Sequence, residues 1–213
     1  MMKSHNIFGK IRDKSIVIIS TIINNGYQTF LKKRLKNDNF SIICSNCIGG
    51  IIYNRLGKKF LSPTINLWMK QKDFIKFALD LKYYISLDLF FIETEYDYPV
   101  AKLDDITIYF NHATSKEEAE FDWYKRRERI NYDNLYLIMY ERENLSKEEI
   151  SLIEKVKCKN KIVITDNENN NLEYALYVKP NLTRNDGFQC LDRDIFGIRT
   201  FEKKFDFVKW LNS

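Results

Sequence analysis

Hydrophobic and polar positions alternate along the chain with two different periods, which predict two kinds of element. Short apolar runs predict strands at residues 40–44, 64–69, 87–92, 105–110, 135–140, 161–165 and 174–178. Apolar positions at three- and four-residue steps predict helices at residues 48–56, 71–85, 115–130 and 146–156, and a last helix carrying Phe201, Phe205, Val208 and Leu211. Strands that alternate with helices are typical of an α/β fold, so we expect a mixed or largely parallel sheet flanked by helices.

The N-terminal segment has a pattern of its own, and we expect a helical appendage at residues 1–36 beside a single α/β domain at residues 37–213. Its apolar positions fit either one amphipathic helix or, with a break at Asn24-Asn25-Gly26, a short strand followed by a helix. The basic residues at its end suit a helix C-terminus and also suit contact with acidic lipid; they are Lys32, Lys33, Arg34 and Lys36.

Composition and charge exclude several classes of protein. The 213 residues are 45% hydrophobic and 30% charged, which excludes a disordered chain and a polytopic membrane protein. A net charge of +5 without a recognition motif predicts no nucleic-acid partner. The apolar run Ile16 to Ile23 is too short to span a bilayer and no cleavage site follows it. We therefore expect a cytoplasmic protein with free thiols and no transmembrane segment.

The loop between the strand at 40–44 and the helix at 48–56 carries the most informative chemistry. Cys47 stands at the predicted start of that helix, where the dipole and free amides, including those near Gly49, would lower a thiol pKa and hold an oxyanion. The chain has two histidines, His5 and His112, and only His112 follows a predicted strand. A Cys47–His112 pair is one prediction. The other is a core histidine, because His112 shares the parity of the apolar positions in its strand.

The same loop allows two other chemistries. Gly49 and Gly50 would let backbone amides approach a phosphate, but the chain has no GxGxxG motif and no Walker lysine, and adjacent glycines also permit tight helix–sheet packing. Cys44 and Cys47 are spaced as a redox pair, but Cys44 lies inside the predicted strand. Cys158 and Cys190 lack metal-ligand spacing, so we expect no metal and no cofactor.

The helix at 115–130 places an arginine among apolar positions. Ala119, Trp123, Arg126 and Ile130 form one stripe, with Arg129 close to it. An inward-facing arginine needs a carboxylate or an anionic ligand. We therefore weigh an anion clamp formed by Arg126 and Arg129 against a structural salt bridge to Asp104 or Asp133.

A set of short motifs across residues 38–165 is characteristic of one bacterial family. They are Ser45-Asn46-Cys47, Gly49-Gly50, Tyr53, Leu56-Gly57, Ser62-Pro63, Tyr98-Pro99-Val100, Lys102-Leu103-Asp104-Asp105, His112, Trp123-x-x-Arg126-x-x-Arg129-Ile130-Asn131 and Asp133-Asn134. With them the chain resembles the bacterial domain of unknown function family 1919, whose members are often labelled exopolysaccharide biosynthesis proteins. Ile48, Ala101 and Cys44 depart from the family pattern, and both ends of the chain match it poorly.

The resemblance implies a role in cell-surface polysaccharide biosynthesis without naming a reaction. A fainter similarity to bacterial papain-like cysteine peptidases maps onto Cys47, Ser62-Pro63, His112 and Arg126 to Arg129. That similarity implies Cys47 as nucleophile, His112 as base, and Asp133 or Asn134 as the third group.

Three functional hypotheses follow. The first is a Cys-His enzyme for acyl transfer or hydrolysis on a glycan or glycan precursor, with Cys47, His112 and Asp133 catalytic. Its predicted substrate-binding residues are Asn46, Gly49, Gly50, Asp104, Arg126 and Arg129. The second is a glycosyltransferase-like protein that binds a nucleotide sugar, and the third is a non-catalytic binding protein. The expected ligand is an anionic glycan or nucleotide sugar, and the basic N-terminal helix offers peripheral membrane contact.

Overall fold

The protein has an α/β fold, as the sequence predicts. The computed structural model describes residues 5–168, 172–179 and 189–213, and for residues 5–16 it describes only the backbone. The helices are α1 (His5–Arg34), α2 (Ile48–Leu56), α3 (Gln71–Leu79), α4 (Leu81–Ser86), α5 (Lys116–Arg127), α6 (Lys147–Lys155), α7 (Thr200–Lys204) and α8 (Phe207–Leu211). The strands are β1 (Ser41–Cys44), β2 (Trp68–Met69), β3 (Phe90–Ile92), β4 (Val100–Leu103), β5 (Ile106–Tyr109), β6 (Leu135–Tyr140), β7 (Asn160–Thr165) and β8 (Ala175–Tyr177).

The strands form two sheets instead of one. The first is parallel, with the order β1-β6-β7-β8, and the second is antiparallel, with the order β2-β5-β4-β3. The apolar pattern indicates that a strand is buried but does not indicate which strand it pairs with. The sequence therefore predicts one sheet where the structure has two. Strand β4 was missed because Lys102 interrupts its short apolar run.

The parallel sheet lies between two hydrophobic clusters. Ile43, Leu137 and Met139 face a cluster that includes the antiparallel sheet and α5. Ile42, Cys44 and Ile138 face the second cluster, which includes α2 and α8. Alternate residues of β1 and β6 therefore point to opposite, equally buried faces, which explains why these strands are nearly continuous apolar runs.

Helix α1 is continuous through Asn24-Asn25-Gly26, so the prediction of one helix is confirmed and the alternative with a break and a short strand is wrong. The C-terminal part of α1 contacts the rest of the fold: Leu31 is buried, Arg34 pairs with Asp206, and the two helices α1 and α2 pack together. None of the helices in the described ranges is long and apolar enough to cross a membrane. The division of the chain at residue 36 stays a prediction.

Local backbone conformation explains the other differences from the predicted elements. Asn66 has a left-handed φ of 63°, which interrupts the predicted strand 64–69, so that β2 begins only at Trp68 and keeps two residues. Asp80 has φ −121° and ψ 53°, outside the helical region, and it separates α3 from α4. The predicted C-terminal helix is divided in the same way between α7 and α8.

Candidate functional site

Cys47 and His112 lie within hydrogen-bond distance, with 3.2 Å between Cys47 Sγ and His112 Nε2. Cys47 is the N-cap residue of α2, at the carboxyl edge of the parallel sheet. His112 follows Tyr109, the last residue of β5, so the pair joins the two sheets. The His112 side chain is exposed, and the alternative prediction of a core histidine is therefore wrong.

Burial and the neighbouring charges of Cys47 shift the pKa of its thiol in opposite directions. Burial raises the pKa of the Cys47 thiol above its ordinary value, and this effect exceeds the lowering by Arg199, Arg142 and the amide of Cys47 itself. The lowered pKa expected from the helix N-terminus is thus wrong in direction. When the imidazole carries its proton on Nδ1, a neutral thiol donates its S–H to Nε2; in the other tautomer Nε2–H donates to the sulfur.

The amides at the start of α2 surround a different sulfur. The backbone N–H groups of Asn46, Ile48 and Gly49 lower the pKa of Cys44, while complete burial raises it to about 12. The amide near Gly49 that was expected to hold an oxyanion at Cys47 therefore faces Cys44. A thiol so deeply buried and so weakly acidic is a poor redox partner for Cys47, and both cysteines are free.

Close packing accounts for both glycines of the loop. A Cβ atom at Gly49 would lie 3.1 Å from Cys44 Cβ, and a Cβ atom at Gly50 would lie 3.2 Å from Ile65 Cγ2. Both glycines are buried in α2. The packing explanation of Gly49-Gly50 therefore accounts for their presence without a bound phosphate, and the nucleotide-sugar hypothesis then depends on Arg126 and Arg129.

Asn46 is buried beside Cys47, with 1% of its surface exposed. Its Oδ1 accepts a hydrogen bond from the backbone N–H of Ile48 at 3.0 Å and lies 3.3 Å from Cys44 Sγ. Its Nδ2 has no hydrogen-bond partner among the described residues. A buried amide group without a partner is costly, so this nitrogen is a candidate donor to a ligand.

The two predicted arginines, Arg126 in α5 and Arg129 just after its end, donate to backbone carbonyls. Arg126 donates to the carbonyl of Ile65 at 3.0 Å and pairs with Asp122, while Arg129 donates to the carbonyl of Phe60 at 3.4 Å. The predicted salt bridge of Arg126 thus exists, but its partner is neither Asp104 nor Asp133. Arg126 lines a cavity of about 50 Å³ together with His112. Arg126 and Arg129 together line a second surface cavity of about 300 Å³, with Lys58, Lys59 and Lys125.

Asp133 and Asp104 lie away from the Cys47–His112 pair. Asp133 belongs to a 3-10 turn that precedes β6, at the amino edge of the parallel sheet, whereas Cys47 is at the carboxyl edge. Asp104 is in the turn between β4 and β5, at the other end of β5 from His112, and accepts a hydrogen bond from the Tyr83 hydroxyl at 2.8 Å. The structure brings neither residue to the pair. The carboxylates that line the cavity shared with His112 belong to Glu118 and Asp122.

Two arginines whose charges lower the pKa of Cys47 were not predicted from the sequence. Arg142 follows β6 by two residues, and Arg199 is the N-cap residue of α7. Polar residues after a buried parallel strand are candidates for a site at the carboxyl edge of the sheet. Arg142 could therefore have been predicted from its position just after β6. Arg199 lies in a segment without such a pattern, and nothing in the sequence marks it.

An aromatic group lies next to Arg142. Trp68 stacks on Tyr109 with ring centroids 3.9 Å apart, and Tyr96 stacks on Tyr98 at 5.0 Å. Tyr96 also contacts Tyr109 edge to face at 5.4 Å. Across the described ranges, no cluster of three or more His, Cys, Asp or Glu residues is arranged to hold a metal ion.

Comparison with known proteins identifies the family. A model described as "Domain of unknown function (DUF1919)" matches residues 18–212, which extends well beyond the predicted range of 38–165 at both ends. An uncharacterized protein of Haemophilus influenzae (strain ATCC 51907 / DSM 11121 / KW20 / Rd) is 31% identical over 182 residues, which is 85% of this chain and 88% of that protein. The chain therefore belongs to the DUF1919 family.

Proposed function

We propose that the protein is a cysteine-dependent enzyme that transfers or hydrolyses an acyl group, with Cys47 as nucleophile and His112 as general base. The observation that carries this proposal is the 3.2 Å separation of Cys47 Sγ and His112 Nε2, at the end of one sheet and beside the other. A nucleophile within hydrogen-bond distance of a base is the arrangement that covalent catalysis requires. Exposure of His112 leaves the pair accessible to a substrate.

The chemistry follows from the neutral state of the thiol. As Cys47 Sγ attacks the carbonyl carbon, the thiol proton passes to His112 Nε2, and the carbonyl oxygen becomes an oxyanion. Collapse of this intermediate breaks the bond to the leaving oxygen, which takes the proton from His112 and leaves a thioester on Cys47. Water or an acceptor hydroxyl then attacks the thioester and gives its proton to His112. Collapse of this second intermediate breaks the C–S bond and releases the acid or the transferred ester, and the proton returns from His112 to sulfur.

Asn46 supplies a donor for the oxyanion in this proposal. Its buried Nδ2 lacks a partner among the residues that the structure describes, and it belongs to the residue that precedes the nucleophile. An amide held in place before the reaction stabilises developing negative charge without reorganisation. Asn46 thereby keeps its predicted substrate-binding role, as a donor to the reacting oxygen.

The substrate in this proposal is an acylated glycan or glycan precursor. The resemblance to exopolysaccharide biosynthesis proteins suggests this class of substrate. The exposed ring of Tyr96, stacked with Tyr98, supports it, because aromatic faces pack against the C–H faces of sugar rings. We further propose a cytoplasmic location, since all four cysteines are free.

Trapping of the thioester tests this function. The full chain is incubated with p-nitrophenyl acetate and the acetylated peptides are identified by mass spectrometry. We expect acetyl on Cys47 in the wild-type protein, and much less in His112→Ala. Cys158 is the matched control, because its thiol is also half-buried with a raised pKa but donates to the backbone carbonyl of Val156.

Equal acetylation of Cys47 and Cys158, unchanged by His112→Ala, would contradict the enzyme and favour a non-catalytic binding protein. A Cys47→Ala variant that retains full turnover of an O-acetylated glycan would contradict Cys47 as the nucleophile. Asn46→Ala is expected to lower the acylation rate by about 10²-fold, which is the usual effect of removing one oxyanion donor.

Helix α1 suggests where the protein acts. Bulky apolar side chains near the middle of this helix are exposed, namely Val17, Ile18, Ile19 and Ile22, and basic residues end the helix. We propose that this part of α1 lies on a membrane surface containing acidic lipid. Flotation with phosphatidylglycerol vesicles should recover the wild-type protein and not an Ile18→Ser/Ile22→Ser variant. Equal recovery of both proteins would contradict this contact.

A further inference from the structure

We infer that Arg55, Arg193 and Arg199 form a binding site for a phosphate group, in a cavity between α1, α2 and the segment that leads into α7. The cavity has a volume of about 290 Å³, and neither Cys47 nor His112 lines it. The site is therefore separate from the proposed Cys-His centre and does not depend on that proposal.

Arg193 and Arg199 lie directly opposite each other. They form an isolated antiparallel bridge, and the residues on either side of them make two backbone hydrogen bonds of 2.9 Å. This is a non-hydrogen-bonded pair, the kind in which opposite side chains come closest. Both side chains line the same cavity. Like charges directly opposite each other destabilise a paired segment, so an anion bound between the two guanidinium groups would stabilise it.

Arg55 brings a third guanidinium group to the cavity, and its side chain is only 8% exposed. Its partner is Glu202, whose Oε1 and Oε2 accept hydrogen bonds of 2.6 and 2.9 Å from Arg55. Within the ranges that the structure describes, the guanidinium groups of Arg193 and Arg199 make no ion pair. One carboxylate therefore serves three arginines, which leaves two positive charges for a ligand to neutralise.

Arg199 is already held in place for a ligand. Its Nη1 donates to the carbonyl of Leu191 at 2.7 Å, and its backbone N–H donates to Glu202 Oε2 at 2.8 Å. Burial and the charges of Arg193 and Arg55 lower the pKa of Arg199, because its charged form is poorly solvated and repelled there. A partly buried cation gains more from an anionic ligand than an exposed one does.

The charge and the lining of the cavity favour phosphate over a carboxylate. A phosphate monoester carries a charge of about −1.5 to −2 at neutral pH, which matches the two unneutralised arginines, whereas a carboxylate matches only one. Guanidinium groups bind phosphate oxygens in a bidentate manner. The other lining residues include three amide side chains and no carboxylate; they are Asn24, Gln28, Ile51, Asn54 and Gly197.

The phosphate belongs either to a soluble molecule or to a phospholipid headgroup. Asn24 and Gln28 of α1 line the cavity, and Asn24 follows the exposed Ile22 by two residues. Two residues along a helix rise only about 3 Å, so a membrane that α1 contacts lies close to the cavity. A lipid phosphate at this site rests on the membrane contact proposed for α1, and a soluble phosphate does not.

Thermal denaturation and titration calorimetry of the full chain with inorganic phosphate test the site. We expect about 10 mM phosphate to raise the Tm by about 2 °C or more, relative to KCl at the same ionic strength. Arg193 is exposed, so its replacement should not prevent folding. In Arg193→Gln the phosphate affinity should fall by about tenfold or more, since a hydrogen bond to a charged group is lost. Without phosphate, the Tm of this variant should equal or exceed that of the wild-type protein, because the repulsion is removed.

Two further variants separate this cavity from general positive charge. Arg129→Gln removes a guanidinium group from the other cavity that is rich in cations, and it should keep the full phosphate affinity. Arg193→Lys keeps the charge without the planar fork, so its phosphate affinity should lie between those of the wild-type protein and Arg193→Gln.

Flotation with vesicles that contain phosphatidic acid distinguishes the two sources of phosphate. Recovery of the wild-type protein that falls in Arg193→Gln and with added inorganic phosphate assigns a lipid headgroup. Binding of inorganic phosphate with equal vesicle recovery of both proteins assigns a soluble phosphate compound. The site would be overturned by a protein that responds neither to phosphate nor to these vesicles, or by phosphate binding that survives Arg193→Gln and is lost in Arg129→Gln.

Discussion

At the scale of single residues, buried charges in this protein are held by specific partners. Arg55 on α2 binds Glu202 through Nε at 2.6 Å and Nη2 at 2.9 Å, and its Nη1 donates to Asn24 on α1. The side chains of Arg55 and Glu202 are 8% and 0% exposed. Arg55 therefore links three helices, α1, α2 and α7.

Removing one member of that pair should destabilise the fold strongly. We expect Arg55→Met or Glu202→Gln to lower the free energy of unfolding by about 3–5 kcal/mol, because the remaining group stays buried without its partner. Urea denaturation measures this change. The double variant Arg55→Met/Glu202→Leu should lower the free energy of unfolding by less than the sum of the two single changes.

An exposed ion pair supplies the comparison. Lys116 and Glu93 lie 2.6 Å apart with 47% and 91% of their side chains exposed, so Lys116→Met should change stability by about 1 kcal/mol or less. Similar losses at Arg55 and Lys116 would contradict the structural role of the buried pair.

At the scale of elements, α2 connects packing to chemistry. Its first turn packs so closely on β1 and Ile65 that glycine is needed at positions 49 and 50, and its N-cap position presents Cys47 to His112. Its last residue precedes Gly57, which ends the helix with a left-handed φ of 63°. The position of the thiol thus depends on how closely α2 approaches the sheet.

Two glycine-to-alanine changes should have opposite effects. Gly49→Ala adds a methyl group 3.1 Å from Cys44 Cβ and should cost about 1–3 kcal/mol of stability and slow Cys47 alkylation. Gly26→Ala, within α1 with nothing inside 4 Å, should stabilise the protein by about 0.5–1 kcal/mol through helix propensity. Thermal denaturation compares the two. A harmless Gly49→Ala would contradict the packing explanation.

The sequence predicted elements better than it predicted their partners. Strand β6, helix α2 with its Gly57 end, and the capping box of Ser146 and Glu149 follow local rules and are confirmed. The break at Asp80 and the separate antiparallel sheet depend on tertiary contacts, which no local pattern contains. The Cys47–His112 contact was predicted from chemistry, because few imidazoles were available. Asp133 was predicted as the third catalytic group from the papain-like similarity, which does not show that this residue lies at the amino edge of the parallel sheet.

At the scale of the whole molecule, buried acidic groups set the stability at alkaline pH. Burial raises the pKa of Cys44 and of Cys190 to about 12, and both belong to the cluster beneath α2. An unfolded thiol titrates at about pH 8.5. These raised values stabilise the folded state fully below that pH, and the contribution is lost as the pH rises toward 12.

Unfolding free energy should therefore fall by about 1.4 kcal/mol per pH unit for each thiol between roughly pH 8.5 and 12. Urea denaturation under reducing conditions at pH 8 and pH 10.5 measures the fall. Cys190→Ala should remove the contribution of one thiol, so that the free energy of unfolding falls by about 1.4 kcal/mol less per pH unit. Stability that stays constant over this interval would contradict the burial of the two sulfurs.

The central claim, that His112 activates Cys47, is tested most directly by one rate comparison. Cys47 of the full chain is alkylated with iodoacetamide at pH 7 in the wild-type protein, in His112→Ala, and in His5→Ala as the matched histidine control. We expect His112→Ala to slow Cys47 by about tenfold or more, since a general base contributes at least this much, and His5→Ala to leave the rate unchanged. Equal rates at Cys47 in all three proteins would contradict the claim.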